Sequence, residues 1–117
     1  MADWIEDYFA DVDAMRLDAY IDRHTDDAVV SFGNNPPARG KQEIRAAIGG
    51  FWEMIDGLSH EIKNRFEDGD TVILESDVTY RRKDGQSVTI PTASFLHRDG
   101  ELVDRLAFYN DLAPLFA

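Results

Sequence analysis

His60 is the residue whose type and surroundings point most directly to chemistry. It alternates in phase with Leu58 and Ile62, so the three side chains share one face if this segment is a strand. An imidazole among apolar side chains can have a shifted pKa and act as a general acid or base. The alternative is a histidine whose hydrogen bonds are satisfied at a strand edge. His24, at a predicted helix end, and His97, before a predicted turn, are not expected to have a functional role.

A second group of candidates lies close to the C-terminus. Arg105, Ala107, Tyr109 and Asp111 alternate along the last predicted strand and therefore share one of its faces. Asp111 can act as a general base or orient His60, and Arg105 can hold an anion or a carbonyl oxygen. The structural alternative is an ion pair of Arg105 with an acidic residue, and Asp111 as the cap of a C-terminal turn.

Tyrosines and other aromatic residues could supply hydrogen-bond donors and the walls of a pocket. Tyr8 and Tyr80 can donate hydrogen bonds to a ligand, or can pack with the hydroxyl at a rim. Asn34 and Asn35 precede two prolines and are expected to make turn hydrogen bonds or to lie at a cavity mouth. The remaining large aromatic residues are predicted to form the core or, around a cavity, a ligand-binding wall: Trp4, Phe32, Phe51, Trp52 and Phe95.

The composition excludes several other classes of function. The chain has 117 residues and a formal net charge of −11, which opposes binding to nucleic acid or to an anionic membrane. It has no cysteine, no cluster with metal-ligand spacing, no Gly-x-Ser-x-Gly elbow and no Gly-rich phosphate loop. We therefore expect no metal and no cofactor. No apolar run approaches the roughly 20 residues of a membrane span, and a signal peptide is not expected, so we predict a cytoplasmic location.

Three helices are predicted in the first half of the chain. Apolar residues recur at helical spacing over 4–12. Asp13 is expected to cap a second helix, which ends at the acidic pair 26–27. A third helix is predicted over about 41–57, with Glu43 placed to reach back to its start.

The second half of the chain predicts an antiparallel sheet. A short strand, 28–32, and a Pro-Pro loop, 33–40, precede it. From Leu58 onward the hydrophobic period is two, and three Asp-Gly pairs separate runs of similar length, which is a strong hairpin signal. Three hairpins in series give four long strands in a meander. The face that must be covered carries Val72, Leu74, Ser76, Val78 and Tyr80.

Helices first and long strands second indicate an α+β fold with the helices on one face of the sheet. The length and the hydrophobic fraction of 44% predict one domain over residues 1–117, large enough to bury a core. Long, twisted strands that curl around helices tend to leave a tapered cavity.

Several stretches taken together resemble one family of proteins. They are the opening helix with Tyr8, the segments Thr25–Val30 and Phe32–Ile44, His60–Ile62, Val78–Gly85, and Arg105–Asp111 before Pro114 and Leu115. The sequence is similar over nearly its whole length to the SnoaL-like, ketosteroid isomerase-like proteins of the nuclear transport factor 2 superfamily. The order of the elements is specific to the fold, whereas the motifs are not specific to a reaction.

The resemblance implies a conical barrel, in which three N-terminal helices pack on a curved antiparallel meander of four long strands plus one short strand. It implies a pocket between the concave face and the helices, lined by the face that carries Arg105, Tyr109 and Asp111. It also implies a homodimer packed through the convex face of the sheet. That convex face would carry Glu75, Asp77, Thr79 and Arg81.

The catalytic sets known in this family match the sequence incompletely. The isomerases use a tyrosine on the first helix, matched by Tyr8, but their base falls near Ser31 or Phe32 and their protonated aspartate near Ala93. The limonene epoxide hydrolase-like members use an Arg-x-Asp pair, and the matching strand, 88–96, contains neither residue type. The SnoaL-type cyclases rely on an Asp or His acid/base, for which the candidates above remain.

We therefore expect a cofactor-independent isomerase, cyclase or dehydratase that acts on a small apolar or polyketide-like molecule. His60 and Asp111 would be acid and base, and Tyr8 or Arg105 would stabilise developing oxyanion charge. The alternatives are a non-catalytic module that holds a small hydrophobic ligand, and a dimeric interaction domain whose own side chains fill the cavity. The predicted ligand-binding residues are Trp4, Phe32, Phe51, Trp52, Tyr80, Phe95 and Tyr109.

Overall fold

The computed structural model describes residues 3–117 and contains three α-helices, six β-strands and a final 3-10 turn. The helices are α1 (Trp4–Asp13), α2 (Leu17–Asp22) and α3 (Gly40–Trp52), and the turn is Ala113–Leu115. The strands are β1 (His24–Phe32), β2 (Ala38–Arg39), β3 (Gly57–Asp68), β4 (Thr71–Arg81), β5 (Ser87–Asp99) and β6 (Leu102–Tyr109). This arrangement confirms the predicted α+β class.

The helix ends follow from local hydrogen bonds. The Asp3 carboxylate accepts from the Ile5 backbone N–H at 3.0 Å and begins α1. Glu43 reaches back to accept from the Arg39 N–H at 3.0 Å, as expected for the start of α3. The prediction for Asp13 is wrong, because this residue ends α1 and α2 begins only after Arg16.

The strands form one open, mixed sheet in the order β2-β1-β6-β5-β4-β3. The four long strands β3 to β6 pair as the predicted antiparallel meander. β1 pairs in parallel with β6, and this pairing extends it back to His24, beyond the short strand expected at 28–32. The expected loop over 33–40 contains the two-residue strand β2, which pairs with β1. The sheet does not close into a barrel, since β2 and β3 remain its edges.

The meander turns and faces agree with the sequence pattern. Gly69, Gly85 and Gly100 follow the three aspartates and have φ values of 60°, 91° and 64°, the left-handed region that glycine tolerates. The concave face of β4 is buried at every position expected from the alternation. Those positions are Val72, Leu74, Ser76, Val78 and Tyr80.

The helices cover the concave face of the sheet and form the core with it. Ile5, Tyr8 and Phe9 of α1 and Ile44, Ile48 and Trp52 of α3 are buried against the strands. Among residues 3–117, none of the helices is long and apolar enough to cross a membrane.

Leu74 and Glu75 are neighbours in β4 that test this assignment of faces. Leu74 is fully buried, so Leu74→Ala is expected to lower the free energy of unfolding by about 2–5 kcal/mol. Glu75 is exposed, and Glu75→Ala should change it by only about 0.5 kcal/mol. Urea denaturation measures both values, and equal losses would contradict the register of β4.

Candidate functional site

Two connected hollows lie between the concave face of the sheet and the helices. The outer hollow has a volume of about 410 Å³ and is bordered by the exposed residues Gly33, Asn34 and Asn35, which mark its mouth. The inner hollow is about 70 Å³ and ends against α1 and α2. Both are lined by Ile48, Phe51, Tyr80, Phe108 and Asn110, which form the junction between them.

An aspartate and a histidine meet at the inner hollow. His60 Nδ1 lies 2.6 Å from Asp13 Oδ1, and the His60 backbone N–H donates to Asp13 Oδ2 at 3.1 Å. The carboxylate at the end of α1 therefore holds both the backbone and the ring of a residue of β3. Phe9 packs against the imidazole with ring centroids 4.7 Å apart, and only 11% of the His60 side chain is exposed.

The contact with Asp13 assigns the two ring nitrogens of His60 to different tasks. A carboxylate accepts hydrogen bonds, so a neutral imidazole must carry its proton on Nδ1 and leave Nε2 as a lone-pair acceptor. No side chain among residues 3–117 hydrogen-bonds to Nε2. His60 lines the inner hollow, so this nitrogen is the basic atom available to a ligand there. A carboxylate that orients an imidazole is the arrangement found in general-base sites.

A buried hydrogen-bond network lies beside this pair. His24 Nδ1 lies 2.8 Å from the Tyr20 carbonyl oxygen and must donate to it, since a carbonyl can only accept. Burial lowers the pKa of His24 from 6.5 to about 4, so its ring is neutral and Nε2 is an acceptor. The Tyr8 hydroxyl, 2.9 Å from Nε2, therefore donates to it, and the Tyr20 hydroxyl lies 3.0 Å from Tyr8.

The hydrogen bonds of this network give Tyr8 a structural role. Its hydroxyl proton is committed to His24, and burial raises the pKa of Tyr8 well above its usual value. Tyr8 borders the inner hollow as expected, but its hydroxyl is not free to donate to a ligand oxygen.

The other polar groups of the cavity lie on the sheet. Thr92 and Ser94 of β5 are buried and line the inner hollow. Asn110 is the residue after β6, and its side-chain Nδ2 donates to Thr92 Oγ1 at 3.3 Å. Burial raises the pKa of Tyr80 to about 12, and the Asn110 side chain beside the hydroxyl opposes this rise. Tyr80, Asn110 and Thr92 thus form a polar strip in an otherwise apolar hollow.

Four of the predicted site residues lie away from the cavity: two from the last strand and two from the aromatic set. Arg105 is on the opposite face of the sheet, where its guanidinium stacks on the Phe95 ring at 4.8 Å, and Tyr109 is 55% exposed. Trp4 stacks under the Arg98 guanidinium at 4.2 Å and does not border either hollow. The predicted cavity positions of Arg105, Phe95, Tyr109 and Trp4 are therefore wrong.

The reason lies in the sequence of β6. Leu106, Ala107, Phe108 and Tyr109 are consecutive apolar residues, so alternation alone does not identify the inward set. Leu106 and Phe108 line the inner hollow. Ala107 faces outward, opposite Phe95, and is buried there because its side chain is small.

Asp111 is the cap of the C-terminal turn, which is the structural alternative to a catalytic role. It is exposed, and its Oδ1 accepts from the Ala113 N–H at 3.0 Å, which caps the final 3-10 turn. It does not border the two hollows, so it neither orients His60 nor acts as a base in the cavity. Asp13, predicted from the sequence to be a helix cap, occupies the orienting position.

The remaining predicted wall residues do line the cavity. Phe32 and Phe51 border the outer hollow, Trp52 the inner one, and Tyr80 both. Asn34 and Asn35 lie at the mouth, and Asn35 Nδ2 also donates to the Phe32 carbonyl oxygen at 3.0 Å. Within residues 3–117, no group of three or more His, Asp or Glu side chains is arranged to hold a metal ion.

Comparison with known proteins identifies this architecture. Residues 5–106 match the family described as the SnoaL-like domain, whereas no curated protein matches the sequence.

Solved structures share the fold at low sequence identity. A hypothetical protein with a ketosteroid isomerase-like fold from Catenulispora acidiphila, in complex with trimethylamine, has a TM-score of 0.85 and 17% identity, over 97% of this chain and 88% of its own. An LEH-like epoxide hydrolase of M. tuberculosis has a TM-score of 0.80 and 16% identity, covering 97% and 84%. A candidate SnoaL-like polyketide cyclase from Jannaschia sp. CCS1 has a TM-score of 0.75 and 18% identity, covering 86% and 75%. At these identities the similarity establishes the fold alone.

The depressed pKa of His24 predicts how acid affects the fold. Below pH 6.5 the unfolded chain binds a proton at this residue, whereas the folded chain does so only near pH 4. The neutral His24 ring therefore contributes to the free energy of unfolding above pH 6.5. About 3 kcal/mol of this contribution is lost as the pH falls to 4. In an NMR titration the His24 ring resonances should stay those of a neutral imidazole down to pH 5. A midpoint near 6.5 would contradict the network.

Proposed function

The chain belongs to the SnoaL-like domain family, and from this premise we propose that it is a cofactor-independent enzyme that transfers protons on a small, largely apolar substrate. The reaction class is that of an isomerase, cyclase or dehydratase, with His60 as the acid/base residue and Asp13 as the residue that orients it. The 2.6 Å contact between His60 and Asp13 at the inner hollow carries this proposal.

The position of the pair supports catalysis over a purely structural role. A contact that only tied α1 to β3 would not need the second ring nitrogen to lie at a cavity. Here Nδ1 is held by a carboxylate, and Nε2 has no protein partner among residues 3–117. General acid–base groups of this type contribute roughly 10²–10⁴-fold to a rate.

The lining of the cavity suggests the class of substrate. Aromatic and aliphatic side chains dominate both hollows, and Tyr80, Asn110 and Thr92 add a short polar strip. This combination fits a compact apolar molecule that carries an oxygen function, such as a polyketide-like ketone. The acidic chain, with a net charge of −11, opposes a strongly anionic substrate.

The proposed reaction begins with loss of a proton next to a carbonyl group. His60 Nε2 accepts the proton from the carbon atom, while the Asp13 carboxylate stabilises the imidazolium that forms. The electron pair of the C–H bond moves towards the carbonyl oxygen and gives an enolate. Return of the proton from His60 to another carbon atom completes an isomerisation. In a cyclisation the enolate carbon attacks a second carbonyl group, whose oxygen then takes the proton from His60. In a dehydration a hydroxyl group on the next carbon atom leaves and takes the proton from His60, which releases water.

A non-catalytic binding function is the second candidate, and the size of the inner hollow favours it. A volume of about 70 Å³ admits only a few atoms of a ligand beside His60. A module that holds an apolar ligand in the outer hollow would use Phe32, Phe51 and Phe108 and leave His60 unused.

Proton exchange on a ketone separates the two candidates. In D₂O the wild-type protein should catalyse deuterium exchange at the α-carbon of 2-acetylnaphthalene, measured by NMR. His60→Ala should reduce the exchange rate by about 10²–10⁴-fold, and Asp13→Asn should reduce it less, because the base remains but loses its orientation.

His97 provides a matched control for this experiment. His97 Nδ1 also lies 2.6 Å from a carboxylate, that of Asp104, but the pair is on the opposite face of the sheet. His97→Ala should therefore leave the exchange rate unchanged. Binding of the ketone without exchange, with equal behaviour of wild type and His60→Ala, would support the binding module and remove the catalytic proposal.

We also propose that the chain forms a homodimer through the convex face of the sheet. Phe66, Ile73 and Phe95 are direct neighbours on β3, β4 and β5 and form an apolar row there. Phe66 is 62% and Ile73 45% exposed in the single chain, and such a row is a usual feature of an interface. The interface centres on this row, beside the polar positions Glu75 and Asp77.

Sedimentation tests the dimer. The wild-type protein should sediment with about twice the chain mass of 13.3 kDa, and Ile73→Lys should convert it to a monomer because the new charge would be buried. Gln86→Lys adds the same charge in the exposed turn between β4 and β5 and should leave the dimer intact. A monomeric wild type at micromolar concentration would contradict the proposal.

A further inference from the structure

Tyr80 differs from Tyr8 in what its hydroxyl can do. The Tyr8 proton is committed to His24, whereas none of the hydrogen bonds among residues 3–117 uses the Tyr80 hydroxyl as a donor. Tyr80 is 5% exposed and borders both hollows, so its oxygen faces the cavity and not bulk solvent. The hydroxyl is not one of the buried atoms without a partner, so it is accessible from the cavity and can donate to a ligand oxygen there.

The register of the sheet places Tyr80 close to His60. Tyr80 of β4 pairs with Leu58 of β3, two residues before His60, and all three side chains face inward. Tyr80 and His60 are therefore diagonal neighbours on adjacent strands, with backbones about 7–8 Å apart. One small ligand can touch both side chains across this spacing.

Asn110 is the polar neighbour of Tyr80 at the junction of the hollows. Its side chain lies beside that hydroxyl and donates to Thr92 Oγ1, which in turn donates to the Ile90 carbonyl oxygen at 3.3 Å. This chain of contacts ties the Asn110 carboxamide to β5. A tyrosine hydroxyl is protonated at neutral pH, and burial raises the pKa of Tyr80 further, to about 12.

We propose that Tyr80, positioned by Asn110, donates the hydrogen bond that binds the carbonyl oxygen of the substrate. The inference rests on the proposed proton transfer and assigns its oxyanion donor, which is not the tyrosine of the first helix. As the C–H bond breaks, its proton passes to His60 Nε2 and its electron pair forms a C=C bond. The carbonyl π pair moves to oxygen, where the Tyr80 O–H stabilises the charge.

The two hollows then define how the substrate lies. The carbonyl group is at the junction, where Tyr80 and Asn110 border both volumes. The apolar body fills the outer hollow of about 410 Å³, and only the carbon atoms next to the carbonyl enter the inner hollow of about 70 Å³. The preferred substrates are compact ring systems that carry a carbonyl group on a short side arm.

A pair of probes isolates the hydrogen bond from apolar burial. 2-Acetylnaphthalene carries a carbonyl oxygen, and 2-ethylnaphthalene has a similar shape without one. Tyr80→Phe should weaken binding of the ketone about fivefold to tenfold, the usual effect of one hydrogen bond, and change that of the hydrocarbon less than twofold. Fluorescence titration measures both affinities, and Asn110→Ala should show the same selectivity with a smaller loss.

Tyr109 provides the matched control, because it carries the same hydroxyl on the opposite face and is 55% exposed. Tyr109→Phe should leave both affinities unchanged. The infrared stretching frequency of a ¹³C-labelled ketone carbonyl should fall when the ketone binds to the wild-type protein. In Tyr80→Phe it should return to the higher value. A merely structural role of Tyr80 would not produce this difference.

The possible outcomes separate this inference from the proposed function. If Tyr80→Phe lowers the affinity for both probes equally, or leaves the affinity for the ketone unchanged, the role of Tyr80 is overturned even if His60 catalyses exchange. Selective loss of the ketone with no His60-dependent exchange would support the hydrogen bond and overturn the enzyme. Failure of both probes to bind the wild-type protein would overturn both.

Discussion

The cavity exists because three short helices must cover the concave face of a longer sheet. The strands of the meander run for 8 to 13 residues, whereas α1, α2 and α3 have 10, 6 and 13 residues. Apolar alternation fixes which face turns inward, and the helices pack on one part of it. Thr92, Ser94 and Tyr80 line the hollow that remains between the sheet and the helices, so these polar side chains lie where a ligand could bond to them.

The surroundings of a contact, and not the contact itself, decide what it can do. His60–Asp13 and His97–Asp104 have the same Nδ1–Oδ1 separation of 2.6 Å. His60 packs on Phe9 and borders a hollow between helices and sheet, whereas the His97 side chain is 41% exposed on the convex face. Only the first pair combines an oriented imidazole with a site from which water can be displaced.

The sequence predicts the fold well, because each element depends on local signals. Asp-Gly turns, alternation in β4 and the helical stripe of α3 all correspond to the structure. The site is harder to predict, because its contacts join distant residues: Asp13 and His60 are 47 positions apart, and a carboxylate at a helix end gives no sign of its partner. The inward face of β6 was predicted wrongly for a different reason. Four consecutive residues of this strand are apolar, so alternation does not show which side chains face the core.

The proposed chemistry requires that the proton of the neutral His60 ring is on Nδ1. Nitrogen-15 NMR at a pH where the imidazole is neutral distinguishes the two tautomers. We expect the proton on Nδ1, hydrogen-bonded to Asp13, and an unprotonated Nε2 facing the inner hollow. A proton on Nε2 would leave no base at the cavity and would contradict the proposed chemistry.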